Sequence, residues 1–264
     1  MRLNRLKAAA LLAALSLVMV SAEASAAKTV KELSRNAEFV FRGTILKPAA
    51  ANLEIVEPNE KTAVVRVDEI LKGADTLGDF TGREITVFLQ GRPLKAGQQR
   101  VFFSTVGLMG ETLGVQEVGR LTGRAADAKA KVTAAELQVA EEALASRLKA
   151  ADLAIKGRVL NRRATYDPAK PEVISEHDPQ WWEAVFEVTA VIQGNLVERT
   201  LPVWFPSSRD AMWAAVPKPD VGQEGTWLLH RYQTESGRVI FALLDAQDQL
   251  SDGETKMLEK MVKP

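Results

Sequence analysis

A stretch of ten residues occurs twice in this chain, and three further stretches recur behind it in the same order. Ala37–Leu46 (AEFVFRGTIL) returns as Ala151–Leu160 (ADLAIKGRVL). Thr62–Gly73 returns as Glu183–Gly194, Arg83–Gln90 as Arg199–Pro206, and Gly97–Phe103 as Gly222–Leu228. Eleven of these 37 aligned positions are identical, and the glycines fall on each other. A unit that recurs in order is one supersecondary arrangement used twice, so the fold must be one that can be built in two halves.

The repeated blocks read as strands. Ala63, Val65, Val67 and Leu71 fall on one face, as do Ala184, Phe186, Val188 and Ile192, while Arg66, Asp68, Glu187 and Thr189 fall on the other. Alternation of period two with one charged face describes a half-buried antiparallel strand. Gly73 and Gly194 end these strands in turn positions. Leu113–Val118 and Val239–Leu244 supply a fifth strand in each copy. Five short strands per unit is the count of a small closed Greek-key barrel. Three segments match the capping box, in which a hydroxyl and a carboxylate three residues on satisfy free amides at a helix start: Thr29–Glu32, Thr133–Glu136 and Ser251–Glu254. The middle one opens a helix expected over Ala134 to Lys149, with Leu137, Ala140, Leu144 and Leu148 as its apolar stripe. The expected organisation is therefore a signal peptide over 1–26, a first OB-like barrel with a short N-terminal helix over 27–132, a linking helix over 133–150, and a second OB-like barrel with a C-terminal helix over 151–264.

The first residues specify export. Arg2, Arg5 and Lys7 precede an apolar run from Ala8 to Val20, and Ala24-Ser25-Ala26 offers small residues for a signal peptidase. Cleavage is expected after Ala26, with Ala24 as the alternative site, giving a periplasmic or secreted protein. An uncleaved anchor is the competing reading. The exported part keeps 31 basic and 33 acidic residues, a net charge of −2. That balance lacks the basic footprint of a nucleic-acid binder. With no cysteine in the chain, disulfides, thiolate nucleophiles and thiolate metal sites are excluded.

The run A-[DE]-φ-φ-φ-[KR]-G-x-φ-φ, followed by a long loop, an alternating strand ending in [KQ]-G, another strand and a Gly-Gln turn into an apolar strand, resembles the TIMP-like or netrin-like OB-fold domains of secreted proteins. The likeness extends over most of both copies. It implies a five-stranded barrel with flanking helices that binds other molecules. The family's inhibitors chelate a protease zinc through an N-terminal cysteine; the expected N-terminus here is Ala27 or Ser25, and the family's disulfides are missing, so none of the family's functional residues carries over.

The copies differ in ways that suggest where binding would occur. The separation between matching residues is 114 in the first block, 121 in the second, 116 in the third and 125 in the fourth. The second copy thus has a longer loop after its first strand, about Asn161–Gln180, and another before its fourth, Ser207–Asp220. All five tryptophans, both tyrosines and both histidines lie in the second copy. Trp182, Trp204 and Trp227 read as packing residues. Trp181 and Trp213 have two open readings, an anchor for a partner or a plug for a loop. The expected binding residues are Tyr166, Trp181, Arg209 and Trp213.

No catalytic constellation emerges. Glu176-His177-Asp178 reads as a solvated loop with an Asp-Pro turn rather than a metal site. His230 reads as a strand histidine bonded to water or a backbone carbonyl. Asp245, Asp248, Asp252 and Glu254 lack calcium-loop spacing. Neither Ser104 nor Ser207-Ser208 has the setting of a nucleophile. The expectation is an exported non-enzymatic interaction protein without cofactor or metal, meeting a protein or other envelope ligand through the second barrel. A protease inhibitor acting without the N-terminal cysteine is one alternative; an extracytoplasmic hydrolase using unidentified carboxylates is another.

Overall fold

The computed structural model of the chain describes residues 28–73, 77–109, 112–122, 125–165, 179–208 and 210–262; the expected signal segment lies outside them. Helix α1 (Val30–Asn36) leads into strands β1 (Phe39–Pro48), β2 (Thr62–Lys72), β3 (Glu84–Phe88), β4 (Gln99–Met109) and β5 (Leu113–Leu121). Helix α2 (Ala125–Ala150) follows, then β6 (Leu153–Ala164), β7 (Trp181–Gln193), β8 (Thr200–Pro206), β9 (Glu224–Gln233), β10 (Val239–Ala242), β11 (Gln249–Leu250) and α3 (Asp252–Val262). The first five strands close in the order β1-β2-β3-β5-β4, and β6-β7-β8-β10-β9 close in the same order, with β11 added on β9. In each barrel the third and fifth strands are the parallel pair. The protein is mainly β: two OB-like barrels in tandem, each followed by a helix.

The two barrels agree in register, not only in strand order. Gly43 pairs with Val67 and Gly157 with Val188; Ile45 pairs with Val65 and Val159 with Phe186. Irregularities skip Asp68, Leu71 and Leu46 in the first barrel and the matching Thr189, Ile192 and Leu160 in the second. The motif residues also repeat their contacts. Glu38 and Asp152 each accept a backbone N–H from the fourth strand, from Val106 and Arg231. In the Gly-Gln turns, the Gly97 and Gly222 amides both donate at 2.8 Å to the first strand, at Ile45 and Val159. Both glycines sit at positive φ, +78° and +86°, where a side chain would be strained.

The bulges correct one expectation. Leu71 and Ile192 do not continue the inward face; each extra residue flips the alternation. Ile70 packs on the first barrel core instead, and Leu71 and Ile192 turn outward under the helices. The fifth strand of the second copy is also split. Matching residues are 126 apart at Val115 and Phe241 but 129 apart at Arg120 and Gln249. Three additional residues thus form the turn between β10 and β11, and the expected strand Val239–Leu244 ends at Ala242.

Two capping boxes form. Thr29 and Glu32 exchange side-chain and backbone hydrogen bonds, as do Ser251 and Glu254. The third does not: α2 starts at Ala125, so Thr133 lies mid-helix and exposed. The Ala- and Lys-rich run before it has high helix propensity and no breaker, so the helix extends through it. The expected stripe is corrected as well, since Leu137 is 51% exposed and Ala140 is also exposed. Ala128 and Val132 face the first barrel, and Leu144 and Leu148 face the cluster beside the second barrel and α3. We expect Thr29→Ala to cost about 1 kcal/mol and Thr133→Ala to change stability by no more than a few tenths, as read from thermal or urea melts.

Candidate functional site: an aromatic face on the second barrel

Trp181 opens β7, opposite Pro206 at the end of β8. The alternation of β7 sends Trp182, Ala184 and Phe186 inward to the barrel core and Trp181 outward. On β8, Val203 and Phe205 point in and Trp204 points out. Tyr232 of β9 pairs with Ile240 of β10 on the same outer face. The result is a cluster centred on Trp181, whose ring lies 4.8 Å from Tyr232, 6.0 Å from Trp204 and 6.2 Å from Trp213. Trp204 is buried beneath it, while Trp181, Trp213 and Tyr232 are half-buried.

A buried acid underlies this face. Glu183, on the outer side of β7, is 7% exposed. Its carboxylate accepts from Arg163 Nη2 at 2.7 Å and from Trp204 Nε1 at 3.4 Å. These partners offset the cost of burying the charge and hold the Trp204 ring.

Trp213 belongs to the loop before β9, which closes on itself. The Asp210 carbonyl accepts the amides of Trp213 and Ala214, and the Trp213 carbonyl accepts that of Val216. The Lys218 ammonium donates to the carbonyls of Trp213, Val216 and Ala214 at 2.9, 3.0 and 3.3 Å. Partial burial pushes Lys218 below the usual lysine range. Val216 is buried against the barrel core, and Trp213 packs on the same cluster while touching Trp181. Trp213 thus contributes to both the loop plug and the outer face. Met212, next to it, is 63% exposed.

Of the four expected binding residues, the structure brings Trp181 and Trp213 together; Tyr166 and Arg209 lie outside the described residues, as does Glu176-His177-Asp178. Tyr232 was missed, because nothing in its sequence setting marks which way it points. Trp182 and Trp227 pack inside the barrel as expected, and Trp204 packs too, but on the outside. Four of the other candidate groups have structural partners. Ser104 donates to the Phe39 carbonyl, Ser208 accepts the Asp210 amide, and Asp248 accepts the amides of Leu244 and Asp245. Glu254 caps α3 and meets Arg147.

Away from this face, a concavity of about 490 Å³ lies where α3 meets β6 and β9. Lys156 and Arg158 line it against Glu224 and Asp252, with the Gly157 and Gly225 backbone between. In the first barrel the matching positions close on themselves, through Thr44 and Gln99 bonding to Asp68.

No family model matches the chain, and no curated protein does. Among solved structures, the chain is similar to a wild-type single-stranded DNA binding protein from Thermus aquaticus, with 14% identity, 78% of this chain and 90% of that chain covered, and a TM-score of 0.16. A likeness that slight supports no conclusion about ligand.

Proposed function

We propose that this is an exported protein that works by binding rather than by turnover, holding an envelope or extracellular partner against the aromatic face and enlarged loops of its second barrel. The observation that carries this reading is the contrast between the copies. By register, Trp181, Trp204 and Tyr232 occupy the places of Glu60, Phe88 and Gly107. The first barrel closes in the same strand order without an aromatic cluster there, so closure does not require one. Half-buried tryptophan and tyrosine beside enlarged loops are the groups that anchor partners most strongly. The barrel topology is compatible with the netrin-like resemblance without distinguishing it from other OB-like barrels. Export rests on the basic and apolar segment over 1–26 and its small-residue site. No described helix is long and apolar enough to cross a membrane.

The test is capture from the producing cell's envelope extract by the immobilised mature chain, compared with Trp181→Ala. Loss of a specific captured partner, at least tenfold in affinity, with an unchanged melting midpoint supports the reading. A collapsed midpoint would make Trp181 a packing residue, and undiminished capture would move the partner elsewhere.

A further inference from the structure

The three residues added between β10 and β11 build a charged junction that has no counterpart among the described residues of the first half. Asp248, in that turn, is 2% exposed. Its Oδ2 accepts the amides of Leu244 and Asp245 at 2.6 and 2.8 Å. Its Oδ1 lies 2.9 Å from Nε2 of His230 on β9. The backbone carbonyl of Ala150, the last residue of α2, also acts on the ring. The imidazole therefore stands between the end of the linking helix and the added turn. The matching residue of the first barrel is Thr105.

We propose that protonated His230 fastens the end of α2 and the entry into β6 to the second barrel, and that this junction loosens as the medium turns alkaline. Both neighbours of the ring are acceptors: a carboxylate oxygen whose partner oxygen is held by two amide donors, and a helix C-terminal carbonyl left over from the helix ladder. An imidazolium has two N–H donors and satisfies both. A neutral imidazole has one, and turns a lone pair on the other oxygen. The negative end of the α2 dipole also favours the cation.

The surrounding charges act in the same sense or neutralise one another. Asp152, leading into β6, accepts the Arg231 amide and attracts the ring charge. Arg147, in the last turn of α2, donates to the Gln247 carbonyl and pairs with Glu254 of α3. Asp245 accepts the Gln247 amide within the turn. The contacts of Arg147 keep the turn tied to α2 and α3 independently of the imidazole, so the loosening is local. The bond to Asp248, opposed by burial and helped by the charges of Asp248 and Asp152, holds His230 above the ordinary histidine value. A raised value means the contribution is complete below about pH 6.5 and is lost as pH rises through the folded-state value.

The experiment is amide hydrogen exchange of the full chain from pH 6 to pH 9, corrected for intrinsic rates and read at Ala150–Leu153, for the parent and His230→Gln. Parent protection should fall roughly tenfold across that range, the scale of one charge-assisted hydrogen bond. The variant should be flat and match the parent at pH 9. The chain has two histidines, so His177→Ala leaves a single imidazole NMR signal. That signal must titrate above 6.5. Flat protection in the parent, or a His230 signal titrating at or below 6.5, would overturn the proposal, and the second result does not depend on the glutamine variant folding.

Discussion

Trp227→Ala will lower the stability of the second barrel by about 3–5 kcal/mol, whereas Trp227→Phe will cost only about 1 kcal/mol. Trp227 is fully buried and meets Phe186 edge-on at 5.1 Å with 72° between the rings. Removing the indole leaves a cavity in a closed barrel whose strands cannot collapse into it without breaking their ladders. The phenylalanine variant is tolerated for two reasons. The first barrel already has Phe102 at the matching position, stacked on Phe41 at 5.2 Å. In addition, Trp227 Nε1 is buried without a hydrogen-bond partner, so losing it removes an uncompensated desolvation cost. The larger ring fits because of its neighbour: a Cβ on Gly225 would lie 3.3 Å from Trp227 Nε1, while the first barrel has Arg100 there. Gly225→Ala should therefore be unfavourable beside the native indole and less so in the Trp227→Phe background. A double-mutant cycle on urea midpoints reads that coupling. An alanine variant melting within a degree or two of the parent would show that the ring does not carry the core.

What the sequence disclosed was whatever the backbone decides locally. The Gly-Gln turns, the capping boxes at Thr29 and Ser251 and the alternation of Ala63–Val67 each depend on residues a few positions apart. Their duplication made the barrel count legible. The rest depended on pairing across strands. Nothing near Leu71 announces that Asp68 has been skipped, so the flip of the inward face to Ile70 was hidden. The helix start at Ala125 overrode a capping signature at Thr133 because propensity on both sides of it was high. On the aromatic face, Trp181 and Trp213 were legible as unmatched residues. Their meeting with Trp204 and Tyr232 was not, since it joins β7, β8, β9 and a loop. The His230–Asp248 contact spans a turn whose three added residues blur the alignment, and the histidine's partner followed only from the fold.

The glycine shared by both copies is the sharpest test of the duplication as physics rather than descent. Gly157→Ala and Gly43→Ala should each destabilise by about 1–3 kcal/mol, a fall of several degrees in midpoint. A Cβ on Gly157 would lie 2.7 Å from the Glu187 carbonyl oxygen, and one on Gly43 would lie 2.9 Å from that of the matching Arg66 and 2.6 Å from Val65 Cγ1. A strand carbonyl held in a ladder cannot step aside as a flexible side-chain end can. The close approach arises where the second strand bulges, at Asp68 and Thr189, and coils tightly around the first. Gly107→Ala is the control: its Cβ would meet only the Gly114 carbonyl oxygen, at an ordinary 3.7 Å, so the smaller unfolded-chain entropy should leave stability unchanged or raise it by about 0.4–1 kcal/mol. Opposite signs for Gly157 and Gly107 in parallel melts would assign the repeated glycine to the closure of the barrel. A Gly157→Ala protein as stable as its parent would mean that the strands have room there, and that the recurrence records ancestry alone.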